Sequence, residues 1–200
     1  MNRKVLTTVF IALFVAIISI GGFFKIPLGP VPIVLQNALC VLTGVILGGW
    51  LAGVPALVFV LVGALGLPVF SGGSGGFGSL IGPTGGFFPG YIIGAALAGA
   101  IAGKPSVSEG KDGAARAVRV ALAMLAGMAV LYVPGVLWFS HWAVSAGKVP
   151  AEKTVMAYTM GACVLPYIPG DIIKMAVCVP VALSVRPVLA QYLYSSGKAK

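Results

Sequence analysis

A chain of 200 residues that is 59% hydrophobic and only 8% charged, with a mean hydropathy of +1.07, is built for lipid rather than water. At roughly 20 residues per span this length holds about six helices. It leaves no room for a separate soluble catalytic or nucleotide-binding domain, so residues 1–200 read as one transmembrane domain. A formal charge of +9 would suggest nucleic acid in a soluble protein; here the placement of the basic residues matters instead, and no nucleic-acid partner is expected.

Arg3 and Lys4 lead into an apolar run over 5–22 that is long enough to span and is followed by no small-x-small cleavage site. That predicts a retained first helix rather than a signal peptide. Inside it, Ala12 and Ala16 form a small-xxx-small pair, a spacing that allows close helix approach. A loop over 23–31 containing Lys25, Pro27 and Pro30 precedes a second span over 32–47, which carries the amide pair Gln36 and Asn37 near its start. The amides either hydrogen-bond a neighbouring helix or face a ligand. A tight turn at 48–50 leads to a third span over 51–67.

The loop over 68–86 is long, glycine-rich and uncharged, with Gly73, Gly76, Ser79, Thr84 and Gly85 inside it. Loops of this length are usually functional or disordered, and glycine lets backbone approach a ligand closely, so a lid or floor over a ligand is expected. A fourth span over 87–103, a charge-rich linker over 104–119, and a fifth span over 120–139 follow. Residues 140–167 are mixed, with a short amphipathic segment after Pro150, and a sixth span covers 171–190. The three cysteines, Cys40, Cys163 and Cys178, sit in apolar stretches at no metal-ligand spacing and read as packing residues.

Basic residues set the expected orientation. With the N-terminus inside, Arg3, Lys4, Lys104, Lys111, Arg116, Arg119, Arg186, Lys198 and Lys200 fall on the inner side, against Lys25, Lys148 and Lys153 outside. Both termini are then cytoplasmic and the glycine-rich loop is external. Trp138 and Trp142 fall at the outer interface and Trp50 at the inner one, as amphipathic rings prefer.

Chemistry concentrates at the start of the last span, where Tyr167 is followed by Asp171 and Lys174. An intramembrane charge costs roughly 2.5–3.5 kcal/mol at a helix centre by insertion scales, and the i,i+3 spacing puts both side chains on one face. The pair is either an N-cap aspartate with its own counter-ion or a polar ligand site. In the second case Asp171 accepts from ligand N–H groups and Lys174 holds a ligand carboxylate. Catalysis has no support: His141 is the only histidine, no nucleophile–base set exists, and neither metal nor cofactor is expected.

Four motifs in order, over residues 30–37, 67–73, 82–86 and 168–174, resemble the BioY family, the biotin-binding S components of energy-coupling-factor vitamin transporters. The resemblance runs from the first span to the last. It implies a six-helix S-component fold, biotin as ligand, and a transmembrane T component with two cytoplasmic ABC ATPases as partners. The implied ligand set is Asp171, Lys174, Asn37, Gln36, Gly73, Gly76, Ser79, Thr84, Gly85 and Tyr167. Ala12 and Ala16 match a first-helix pair that contacts the T component in such families. The competing class is an autonomous secondary transporter or channel, which needs coupling-ion ligands or a gated pore. A lone Asp–Lys pair supplies little of either.

Overall fold

The computed structural model describes residues 2–27, 30–107 and 113–194; Lys111, Lys198 and Lys200 of the inner basic set lie outside the described residues. The chain runs as α1 (Arg3–Gly21), a two-strand hairpin β1 (Lys25–Ile26) and β2 (Ile33–Val34), then α2 (Gln36–Leu47) and a 3-10 turn at Gly49–Leu51. It continues as α3 (Val54–Ala64), the short α4 (Phe77–Ile81), α5 (Phe87–Ala102), α6 (Gly113–Ser145), α7 (Val155–Cys163) and α8 (Ile168–Leu193). The hairpin, in which Lys25 pairs with Val34, replaces the loop and helix start expected over 23–35. The expected linker over 104–119 is helical from Gly113 onward.

Three helices, α1, α6 and α8, are long and apolar enough to cross a membrane. Those over Gln36–Leu47, Gly49–Ala64 and Phe87–Ala102 are equally apolar but shorter. At about 1.5 Å per residue, the 12 residues of α2 and 16 of α5 fall short of a bilayer core roughly 30 Å thick. The missing depth lies at one end of the bundle and is occupied by the hairpin, α4 and the glycine-rich loop. Non-helical backbone at such depth is tolerated only where protein buries it or where it lines a cavity.

Helix α5 is the hub, packed along α6 on one side and α2 on the other. Its glycines make this possible. A β-carbon at Gly90 would stand 2.4 Å from the Leu131 carbonyl oxygen, and one at Gly94 would stand 2.6 Å from that of Gly127. This G-xxx-G seam is absent from the expectations above, yet it follows the small-residue rule that governs helix contacts in lipid.

At the end opposite the cavity, arginines close the helices. Arg186 is 1% exposed and donates to the carbonyl oxygens of Val45, Ala102 and Gly103, and Tyr194 Oη donates to Leu47 O at 2.9 Å. Arg119 Nε reaches Ile101 O at 2.8 Å. The last carbonyls of α2 and α5, which have no partner within their own helices, are thereby satisfied by side chains. Arg186, counted above among the inner-side charges, is an interior staple. The three cysteines are free and buried, as expected of packing residues.

Candidate ligand-binding site

The starts of α2, α5 and α8, the middle of α6 and the end of α7 meet the hairpin and the glycine-rich loop around a cavity of about 480 Å³. That volume is within the ~300–1,000 Å³ usual for small-molecule sites. Its floor is a closed polar cluster. Lys174 Nζ donates to Asp171 Oδ1 at 2.8 Å and to Asn37 Oδ1 at 3.1 Å. Asn37 Nδ2 donates to Asp171 Oδ1 at 3.0 Å, and Tyr132 Oη donates to Asp171 Oδ2 at 2.5 Å. Three elements supply these side chains: α2, α6 and the first turns of α8.

The N-cap alternative for Asp171 is not what forms. The cap of α8 is Tyr167, which makes no side-chain cap bond, and the Asp171 carboxylate faces other helices instead. Asp171 and Lys174 contact each other on one patch, with the aspartate and lysine side chains 7% and 9% exposed.

Aromatic rings form the walls. Phe70, 1% exposed, sits 4.3 Å from the Phe88 ring and 5.4 Å from that of Phe59. Tyr91 lies edge-on to Phe88, and Phe87 edge-on to Tyr132. Gly63 admits the Phe70 ring, since a β-carbon there would stand 2.2 Å from it. Tyr132, Phe70, Phe87, Phe88 and Tyr91 were not singled out from the sequence. A tyrosine in an apolar span gives no periodic signal; its partner Asp171 is distant in sequence and meets it only through packing.

Of the expected site residues, Gln36, Asn37, Ser79, Thr84, Tyr167 and Lys174 line the cavity, and Asp171 adjoins it through three of the side chains above. Gln36 also ties the roof down, donating from Nε2 to Val69 O at 2.8 Å. Tyr167 Oη donates to the Val31 carbonyl and so clamps the hairpin connection to the start of α8. Gly73, Gly76 and Gly85 do not appear in the wall. Gly85 is a close-packing position, where a β-carbon would meet Leu80 O at 1.9 Å, and Trp138 Nε1 holds the same loop through Gly82 O at 2.8 Å.

The glycine-rich loop is not a floppy linker. Phe70 N donates to Ser74 O at 2.9 Å around a tight turn in which Gly72 and Gly73 both take φ near +70° (70° and 75°). L side chains rarely adopt that region, which accounts for glycine at both positions. Gly72 N then donates to Gly22 O at 2.8 Å, fastening the loop to the end of α1.

A polar patch at the base of an aromatic cavity, reached from one end of an apolar helical bundle, defines a multi-pass membrane protein that holds a small amphipathic ligand. A family model described as the BioY family matches residues 1–191, and the chain belongs to that family. It is 39% identical over 172 residues to the "Probable biotin transporter BioY" of Pyrococcus horikoshii, covering 86% of this chain and 91% of that one. It is 37% identical over 198 residues to the "Biotin transporter BioY" of Rhodobacter capsulatus, covering 95% and 96%. A crystal structure of the S-component for biotin from an ECF-type ABC transporter superposes with a TM-score of 0.72 at 26% identity, over 93% of this chain and 94% of that one.

Proposed function

We propose that this chain is the biotin-capture subunit of an energy-coupling-factor transporter, with six membrane-spanning helices, both termini cytoplasmic and the cavity facing outward. The observation that carries the reading is the Asn37–Tyr132–Asp171–Lys174 patch at the base of an aromatic cavity. It stands in a chain whose relatives are named for biotin transport.

Biotin has a ureido head with two N–H donors and a carbonyl, an apolar ring, and a carboxylate at the end of a valeryl chain. The patch suits the head. Lys174 has three N–H donors and uses two within the patch, so the third meets the ureido carbonyl. Asp171 has about four lone-pair sites and accepts three bonds, which leaves one for a ureido N–H; the Tyr132 oxygen accepts the other. The apolar ring lies among Phe70, Phe88 and Tyr91, where aromatic contact adds about 0.5–1.5 kcal/mol beyond burial. Gln36, Ser79, Thr84 and Tyr167 complete the wall, and Gly73, Gly76 and Gly85 shape the cover over it.

Coupling is assigned to α1. Ala12 and Ala16 are both exposed, on a stripe that includes Val9, Leu13 and Ile20. In lipid no hydrophobic force drives helices together, so association rests on close packing at small residues. That stripe is the proposed seat for a T component, which two cytoplasmic ABC ATPases drive. Calorimetry of purified protein against biotin and other vitamins tests the ligand. Binding of biotin alone supports the reading, and absence of biotin binding by folded protein ends it. Biotin uptake by the protein alone in vesicles, without ATPases, would favour the autonomous transporter.

A further inference from the structure

We propose that Lys25 and Ser71, at the rim of the cavity, receive the ligand carboxylate and make the site selective for acids over their neutral analogues. This rests on the biotin reading and adds to it, because the floor patch accounts for only one end of the molecule.

Lys174 cannot serve both ends. Its ammonium is held by Asp171 and Asn37 at 2.8 and 3.1 Å, in the same patch that meets the ureido head. The carboxylate is separated from that head by the ring and the valeryl chain, so it must fall elsewhere in the cavity. Lys25 is the other lysine in the wall, contributed by β1 from the rim. Among the described residues its side chain makes no hydrogen bond or ion pair. It lies across the loop turn, with Nζ 3.3 Å and Cδ 3.1 Å from where a β-carbon on Gly72 would stand. A β-carbon there would make the lysine give way by a few tenths of an ångström, so the glycine lets it lie close against the turn.

Ser71 precedes that glycine and also lines the cavity. Its Oγ is buried and has no hydrogen-bond partner among the described residues. Leaving a buried hydroxyl without a partner is unfavourable, and a ligand oxygen removes that cost. An ammonium reaching from β1 across the loop turn and a hydroxyl on that turn supply a donor pair fitted to a carboxylate. The charge balance agrees. Two lysines and one aspartate belong to the cavity, 2 − 1 = +1, and the aspartate is already engaged by Lys174, Asn37 and Tyr132.

The test is calorimetry with biotin and with biotin amide on the wild type, Lys25→Gln, Ser71→Ala and Lys174→Met, with thermal unfolding as a control for folding. Lys25→Gln is expected to weaken biotin about tenfold, as a partly screened charge-assisted bond would. It should leave the amide within about twofold, and Ser71→Ala should act the same way more weakly. Lys174→Met is expected to weaken both ligands alike. In the wild type, raising salt should lower biotin affinity and leave amide affinity unchanged. Wild-type biotin affinity in Lys25→Gln, or equal losses for acid and amide, would overturn the proposal. So would a Lys174→Met variant that loses the acid selectively. A wild type that binds neither ligand would reject the biotin reading itself, and this proposal with it.

Discussion

Replacing Asp171 with asparagine tests the floor of the site, because the change keeps shape and alters only charge and donor pattern. In the native arrangement both carboxylate oxygens accept: Oδ1 from Lys174 and Asn37, Oδ2 from Tyr132. The amide keeps one oxygen and puts an NH2 where the other stood, so at least one native donor faces another donor. Lys174 also loses its counter-ion while its side chain is 9% exposed. Breaking a buried pair by removing one partner costs about 3–5 kcal/mol; a cavity open to water places this case at the lower end. The lost acceptor for a ureido N–H is worth about 1.5–3 kcal/mol, which is roughly a 10- to 150-fold loss of biotin affinity. Calorimetry in detergent reads the affinity, and thermal unfolding with and without biotin separates it from stability. Adding Lys174→Met to Asp171→Asn removes the orphaned charge, so stability should recover while binding does not. Wild-type affinity in the single variant, or restored binding in the double variant, would refute the assignment of Asp171 to the ligand.

Arg186→Met should lower the unfolding midpoint in detergent, because three carbonyls lose their donor at about 1–3 kcal/mol each before relaxation. Biotin affinity should hold, since the staple lies at the opposite end of the bundle; loss of affinity at unchanged stability would contradict that separation. Replacing Ala12 and Ala16 together with leucine should leave biotin binding intact and abolish ATP-driven uptake, together with co-purification of a T component. Normal uptake by the double variant would remove these alanines from the interface. A cysteine at Ser74 should label with an impermeant reagent on intact cells and one at Ser106 should not, against a background of three buried native thiols. The reverse pattern would invert the orientation.

Much of the site was legible before folding, for energetic reasons. An aspartate and a lysine at the head of an apolar run are expensive in lipid, so their presence already marks a site. The glycine-rich loop was legible because a long uncharged loop between spans has to be buried or functional. What the pair does was not legible. The i,i+3 spacing alone is compatible with an N-cap, a self-contained ion pair or two ligand contacts, and only the arrival of Asn37 from α2 and Tyr132 from α6 selects a shared patch. The hairpin over 25–34 was missed because its strands are two residues each, too short for any period to show. The role of Arg186 was hidden for a related reason. Counting charges near span ends cannot reveal that a guanidinium turns inward to close α2 and α5.

Composition determined that the chain lives in lipid, and its long continuous apolar runs that it is helical, because the alternative that satisfies the backbone there, a closed barrel, needs short strands of alternating polarity. Residue order placed the long helices to within about four residues, except α6, which runs from Gly113 to Ser145 beyond both ends of the span expected over 120–139, and it ranked the polar residues by the cost of burying them. The tertiary structure decided how long each helix could be. Where α2, α3 and α5 stop short of the bundle's full height, loops fill the gap and leave a cavity, and that depends on which helices stand side by side. It also decided which distant polar groups meet, because a donor and an acceptor more than 130 positions apart, such as Asn37 and Asp171, share a bond only after packing brings their helices together.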